Sequence, residues 1–194
     1  MRTVRVGILA LQGDVAEHAA VVRACGAENR EVRRPEDLAG VEALIIPGGE
    51  STTIGRLMAR VGLDEAIRER VEQGLPVLGT CAGAILLARE ARGGRPPLLE
   101  VMDIAVARNA YGRQRESFEA DIHVPPLGSA PLRVAFIRAP VIEAVGPAVQ
   151  VLASFGGQPV LVRQDRLLAA TFHPEVLGET ALHRYFLETV VRAA

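Results

Sequence analysis

Cys81 lies between Gly79 and Gly83 in the run Leu75-Pro76-Val77-Leu78-Gly79-Thr80-Cys81-Ala82-Gly83-Ala84-Ile85-Leu86-Leu87-Ala88. Ahead of the cysteine the run is short and apolar, as in a buried strand. Behind it, Ala, Ile and Leu suit a helix. Gly-x-Cys-x-Gly at such a junction is the cysteine counterpart of the Gly-x-Ser-x-Gly nucleophile elbow, whose tight turn lifts the nucleophile out of the sheet. Side chains in place of the glycines would crowd the turn or block approach to the sulfur. A helix starting after Cys81 directs free N–H groups and its positive end at the sulfur, favouring thiolate. A small buried apolar cysteine fits the same local pattern.

A cysteine nucleophile needs a base, and the base an orienting group. Of the four histidines, His18 and His183 fall on helical patterns near the two ends, and His123 precedes two prolines. His173 stands in Thr171-Phe172-His173-Pro174-Glu175, directly after a strand-like run. Pro174 biases His173 toward an extended backbone, in which residues i and i+2 share a side. Glu175 is thereby expected beside the His173 ring, holding one tautomer and stabilising the imidazolium. By itself the tripeptide also reads as a surface turn; a cysteine elbow on another strand end favours a triad.

Pro47-Gly48-Gly49-Glu50-Ser51-Thr52 is the second candidate site. A double glycine at a strand end lets backbone N–H groups approach a ligand closely, as an oxyanion hole requires. A phosphate cradle, or a plain turn with Ser51 or Thr52 as N-cap, fits too. The stretch lacks the Lys of a P-loop and the spacing of a dinucleotide fingerprint. Arg108 and Arg138 each stand at a turn or strand end, where a guanidinium fork can take both oxygens of a carboxylate. Either could equally serve an ordinary ion pair.

The elements that must carry these residues alternate. Val4–Leu11 reads as a buried parallel strand, and Asp14 with Glu17 as a capping-box start to a helix through about Ala24, stopped by Gly26. A short strand is expected near Glu31–Arg33, a turn at Pro35–Asp37, a strand at Val41–Ile46, and helices at Ile54–Arg60 and Asp64–Gln73. The elbow strand follows Gly74. Strand–loop–helix repetition predicts an α/β fold: a flavodoxin-like, doubly wound three-layer sandwich with a mostly parallel central sheet. The loops at Gln12, Gly48-Gly49 and Cys81 then share the edge beyond the C-terminal strand ends. From Gly93 onward, short β-rich segments at 98–107, 117–124, 132–137, 149–154, 159–164 and 167–171 suggest added antiparallel strands. An amphipathic helix over 178–191 closes the chain.

The 194 residues suffice for one domain, residues 1–194, with a sizeable core. The 22 basic residues, all Arg, nearly balance 23 acidic ones, which gives no general attraction to nucleic acid or anionic lipid. Neither a signal peptide pattern nor a membrane-length apolar run is present, so a soluble, cytoplasmic protein is expected. A reducing compartment argues against pairing of Cys25 with Cys81; Cys25 is expected to pack as a small apolar residue.

Taken together, these segments resemble the class I, triad-type glutamine amidotransferases. More narrowly, Leu11-Gln12-Gly13-Asp14, Pro47-Gly48-Gly49-Glu50-Ser51-Thr52, Arg108-Asn109-Ala110-Tyr111-Gly112-Arg113-Gln114 and Phe136-Ile137-Arg138-Ala139-Pro140 resemble the glutaminase subunits of pyridoxal 5′-phosphate synthases. Tyr111 stands where another aromatic is expected. The resemblance implies that Cys81 attacks the side-chain amide of L-glutamine, with His173 as base and Glu175 as its orienting acid, through a glutamyl thioester. It implies an oxyanion hole from the N–H groups of Gly49 and Ala82, and glutamine-binding positions at Gly49, Glu50, Ser51, Arg108, Ile137 and Arg138. It links Gln12 to ordering of the oxyanion hole when a partner docks. That partner is a (β/α)8-barrel synthase subunit, which in the family can form a core of twelve carrying twelve glutaminases. Neither a cofactor nor a metal is expected. Competing readings are a glutaminase serving another pathway, such as histidine biosynthesis, a stand-alone cysteine hydrolase, and a non-enzymatic binding domain.

Overall fold

The structure, a computed structural model, describes residues 3–94, 96–108 and 117–191. The first half runs β1 (Arg5–Leu9), α1 (Val15–Ala24), β2 (Glu28–Val32), a 3₁₀ turn (Pro35–Leu38), β3 (Ala43–Ile46), α2 (Ser51–Val61), α3 (Leu63–Glu72), β4 (Val77–Thr80) and α4 (Ala82–Leu87). The second is richer in strands: β5 (Ala88–Arg92), β6 (Met102–Ala107), β7 (Ser117–Ile122), β8 (Leu132–Ile137), β9 (Val141–Val145), β10 (Gln150–Phe155), β11 (Gln158–Gln164) and β12 (Leu167–Ala170). A 3₁₀ turn at Glu175–Leu177 then leads to α5 (Ala181–Tyr185).

Among the described residues, seven strands form one sheet in the order β10-β11-β12-β4-β3-β1-β2. The five from β12 to β2 are parallel; β11 pairs antiparallel with β12, and β10 antiparallel with β11. Every residue of β3, β4 and β12 is buried, as strands covered on both faces must be. The two-residue period divides their side chains. Ile45 and Leu78 join one core with Val22 of α1, Leu182 of α5 and Phe136 of β8. Leu44, Ile46 and Val77 join the other with Ile54, Met58, Leu63 and Leu86. The expected three layers are therefore formed, with β5, β6 and β9 adding to the second face. No helix among the described residues is long and apolar enough to cross a membrane.

The structure departs from the sequence expectations at definite points. β1 stops at Leu9 and β2 begins at Glu28 rather than near Glu31, because Arg5–Leu9 pairs with Glu28–Val32 over its whole length. In the segment 98–107 only Met102–Ala107 is a strand. It pairs parallel, not antiparallel, with β5, which begins where α4 ends. As expected, antiparallel pairing adds β11 and β10 to the parallel core, while β12 belongs to that core and lies parallel beside the elbow strand. The last helix starts at Ala181, after Gly178 turns the chain with φ 68°, and continues from Phe186 as a π-helical segment. Asp14 occupies the N-cap position of α1 without a side-chain cap bond, so the expected capping box is absent. Its carboxylate turns toward His173 instead.

Candidate active site

The C-terminal ends of β1, β3, β4 and β12 open at one edge of the sheet, and β8 reaches it from the side. Cys81 sits between β4 and α4 with φ 49° and ψ −103°, a conformation costly for a residue bearing a Cβ. The elbow holds because neighbouring backbones approach closely. A Cβ on Gly83 would lie 2.0 Å from the Ile46 carbonyl oxygen, and one on Gly79 would lie 2.6 Å from the Gly83 backbone. Both sequence-predicted glycines are thus needed for contact rather than for a positive φ. Cys81 and Cys25 are both free thiols. Cys25 packs half-buried against the first core, its sulfur 3.8 Å from the Thr180 carbonyl oxygen.

His173 reaches this edge two residues beyond Thr171. Its backbone is clamped to β8: its N–H donates to the Ala135 carbonyl at 2.8 Å, and its own carbonyl accepts from the Ala135 N–H at 3.4 Å. The preceding Phe172 is fully buried, edge-on to Phe136 at 5.8 Å and 69°. Burying such a ring is worth about 2 to 3 kcal/mol, which anchors the residue next to the imidazole. His173 Nδ1 lies 2.7 Å from Glu175 Oε1. The proximity arises from a turn, not from the expected run of extended backbone, since Pro174 has φ −72° and ψ −32° and starts the 3₁₀ turn. With Nδ1 taken, Nε2 is the ring nitrogen left for Cys81, whose sulfur lies 3.8 Å from the Ile137 carbonyl oxygen and helps to hold the ring protonated.

Electrostatics hold this imidazole charged. Burial works against the imidazolium, yet hydrogen bonds to Asp14, Cys81 and Glu175 together outweigh it and push the His173 pKa up to about 12. Asp14, 3.2 Å from Nδ1, joins the triad geometry unforeseen; its signal was the Gln-Gly-Asp loop after the first strand. Burial pushes the Glu175 carboxyl up, while His173 pulls it back toward ionisation. Asp14, His173 and Glu175 place potential metal-ligand atoms within 4.8 Å of one another. In that cluster Nδ1 is already engaged by both carboxylates.

A cavity of about 300 Å³ opens in front of the sulfur. Gln12, Gly49, Glu50, Ser51, Cys81, Ala82, Arg108, Ile137, Arg138 and His173 line it, with Asp14. Every predicted site residue except Glu175 therefore faces the cavity. Glu175, 3% exposed, stands behind the imidazole as an orienting acid should. Pro140 and Ile85 also line the cavity and were not foreseen. Asn109–Gln114, including Tyr111, lie outside the described residues.

The glycine loop fits tightly against the triad: a Cβ on Gly48 would meet His173 Cε1 at 2.2 Å. The Gln12 side-chain oxygen accepts from the Glu50 N–H at 2.8 Å, tying the first loop to the second. The N-cap of α2 is Glu50, rather than Ser51 or Thr52. Its carboxylate accepts from Thr52 N–H at 3.0 Å, Thr53 N–H at 2.7 Å and the Thr53 hydroxyl at 2.7 Å. Two oxygens on a longer stem satisfy more of the free helix-start donors than one hydroxyl can. The Thr53 hydroxyl, helped by the Thr52 and Thr53 N–H groups, lowers the Glu50 pKa to about 2. Arg108 pairs with the same carboxylate at 3.1 Å. Ala82 is the first residue of α4, so its N–H has no intrahelical acceptor.

Residues 8–192 match the model of the SNO glutamine amidotransferase family. The chain belongs to this family. It is 57% identical over 189 residues to the pyridoxal 5′-phosphate synthase subunit PdxT of Pelotomaculum thermopropionicum, covering 97% of this chain and 96% of that one. Its identity to the Thermus thermophilus subunit of the same name is 57% over 185 residues, covering 94% and 96% respectively. A crystal structure of a glutamine amidotransferase superposes with TM-score 0.90 at 53% identity, covering 94% of this chain and 97% of that one. As a member of the SNO glutamine amidotransferase family, the chain is an enzyme of the glutaminase type.

Proposed function

We propose that Cys81, His173 and Glu175 hydrolyse L-glutamine to L-glutamate and ammonia, the nitrogen being supplied for pyridoxal 5′-phosphate (vitamin B6) synthesis. The observation that carries this reading is that Cys81 and His173 line one cavity, with the buried Glu175 carboxylate bonded to the imidazole behind it, in a chain of this family. The Cys81 sulfur attacks the side-chain amide carbon, and Gly49 and Ala82 N–H groups receive the developing oxyanion. His173, already protonated, gives its Nε2 proton to the amide nitrogen, so ammonia departs and a glutamyl thioester remains. Acylation removes the sulfur as a hydrogen-bond and charge partner of His173, two of the influences that hold its pKa up. The imidazole becomes a better match for its next task, taking a proton from water as that water attacks the thioester. Glutamate leaves, and the Cys81 thiolate and His173 imidazolium are restored.

Arg108 and Arg138 supply cationic forks for the substrate carboxylate, and Glu50 an anion for its ammonium. Gly49, Ser51 and Ile137 complete the glutamine site. Gln12, bonded to the Glu50 N–H, holds the loop that bears Gly49 and is the point where docking of a (β/α)8-barrel synthase subunit acts. The partner reading extends to a core of twelve synthase subunits carrying twelve glutaminases, to residues 1–194 as one amidotransferase domain, and to the cytoplasm as its location. The test is glutaminase turnover with and without that synthase subunit. The chain alone is expected to be slow and the mixture fast, with Cys81→Ala inactive in both and folded. Full turnover by Cys81→Ala, or no labelling of Cys81 by a glutamine-analogue electrophile, would overturn the assignment.

A further inference from the structure

The triad carboxylate has a back as well as a front. Behind Glu175 lie two histidines that the mechanism does not use, His18 on α1 and His183 on α5, both 0% exposed. His18 Nδ1 is 2.9 Å from His183 Nε2, and His18 Nε2 is 3.0 Å from Thr80 Oγ1 and 3.5 Å from Glu175 Oε1. Thr80 immediately precedes the nucleophile. The second carboxylate oxygen, Oε2, and His183 Nδ1 are buried without a hydrogen-bond partner.

These contacts select one arrangement of protons. If His18 carried its proton on Nδ1, that proton would go to His183 Nε2, forcing the His183 proton onto the partnerless Nδ1. A buried donor would then be unmatched, and the His18 Nε2 lone pair would face a carboxylate oxygen. With the proton on Nε2 of both rings, His183 donates to His18, and His18 donates to the Thr80 oxygen and the carboxylate. Of the four ring nitrogens, only His183 Nδ1 is then unpartnered, and as an acceptor. A charged His18 is disfavoured as well: burial, His183 and His173 all lower its pKa, and burial lowers that of His183 to about 4.

We propose that His183 and His18 form a buried, uncharged relay that positions Glu175, with His18 bridging the carboxylate to the residue before the nucleophile. The proposal rests on the assignment of Cys81, His173 and Glu175 as the triad. His18 and His183 are positioning residues. The groups facing Glu175 are His173 and His18, with Asp14 across the imidazole; those facing His18 are His183, Thr80, His173 and Glu175.

Two readouts on the full chain test this. Nitrogen-15 ring spectra should show His18 and His183 as neutral Nε2–H tautomers, remaining neutral at pH 5. This reading does not depend on activity, so it stands or falls separately from the triad. In turnover assays with the synthase subunit, His18→Leu should lower kcat roughly 10- to 100-fold with little change in KM, as for orienting groups behind imidazoles elsewhere. The acid limb of its pH profile should move to higher pH, because the carboxylate has lost a donor. His18→Gln, which keeps an N–H near Nε2, should recover part of kcat, and His183→Leu should show a weaker loss in the same direction. An Nδ1–H tautomer on His18, or a folded His18→Leu with unchanged kcat and profile, would overturn the proposal. If His18→Leu does not fold, the spectra decide: an Nδ1–H signal on His18 refutes the relay, and an Nε2–H signal supports it.

Discussion

Glu175 and Glu50 stand on opposite sides of the same reacting centre and live under opposite physics. Glu175 is sealed behind the imidazole, and burial raises its pKa. Glu50 is half-exposed at the rim, where the Thr53 hydroxyl and the N–H groups of Thr52 and Thr53 lower its pKa to about 2 and Arg108 pairs with it. The buried carboxylate costs the fold stability and is kept in place by histidines. The exposed one stabilises its own helix and leaves a charge to share with a ligand. On the proposed assignment, chemistry is fixed by strand ends and buried neighbours, whereas substrate recognition sits on half-exposed side chains at the rim.

Replacing each glutamate by its amide separates the two roles, and the buried position should respond most. Glu175→Gln leaves a neutral partner that cannot stabilise the imidazolium, so kcat should fall on the order of 10³-fold, comparable to neutralising the acid of other triads. The Tm should fall, since the buried His173 imidazolium loses one of its two carboxylates and keeps only Asp14. A kcat within threefold of the parent would remove Glu175 from the triad. The elbow beside it tolerates no addition. In Gly83→Ala the new methyl meets the Ile46 carbonyl at 2.0 Å, backbone against backbone, so a loss of about 3 kcal/mol or more in denaturant unfolding is expected. A neutral result would mean that β3 and α4 are not packed as described.

The buried side of the site was legible in part. Glycine spacing around Cys81 and the i+2 spacing of His173 and Glu175 announce their chemistry, because few other reasons place those types together. Asp14 was concealed by its equally good credentials as a helix cap. His18 and His183, 165 residues apart in sequence, carry no mutual signal; only the packing of α1 and α5 on one sheet face joins them. The i, i+4 spacing of Asp14 and His18, which puts both on one helix face, was the available clue. The parallel sheet was readable from its apolar runs. The pairing of β12 beside β4 was not, since strand order depends on long-range contacts rather than local pattern.

Acid should expose the same buried pair. His18 and His183 have folded pKa values below their unfolded ones, so the unfolded chain binds more protons and stability falls as pH drops from about 6.5 toward about 4. His183 alone contributes roughly 3 kcal/mol to that loss. His173, with its pKa raised to about 12, behaves oppositely: its contribution is full below about 6.5 and is lost as pH rises toward 12. Glu175, with a raised pKa, works against the histidines in acid. Urea unfolding at pH 7, 6, 5 and 4 should therefore show a decline in the parent that is shallower in His183→Leu. Parallel curves would mean that His183 is not buried neutral.

The smallest effect is expected at the rim, and its size sharpens the contrast. Glu50→Gln keeps one acceptor for the α2 start but loses the charge that Thr52, Thr53 and Arg108 share. The side chain is 51% exposed, so screening limits the ion pair to a few tenths of a kcal/mol, and the weakened cap adds about 0.5 to 1 kcal/mol. Binding should suffer more than turnover. If Glu50 meets the glutamine ammonium in ground and transition states alike, KM rises roughly 5- to 10-fold and kcat holds. The same one-atom substitution then affects kcat at residue 175 and KM at residue 50. A fall in kcat at Glu50 to match that at Glu175 would mean that the Glu50 carboxylate itself serves the chemical step, and that recognition and chemistry are not divided between rim and core.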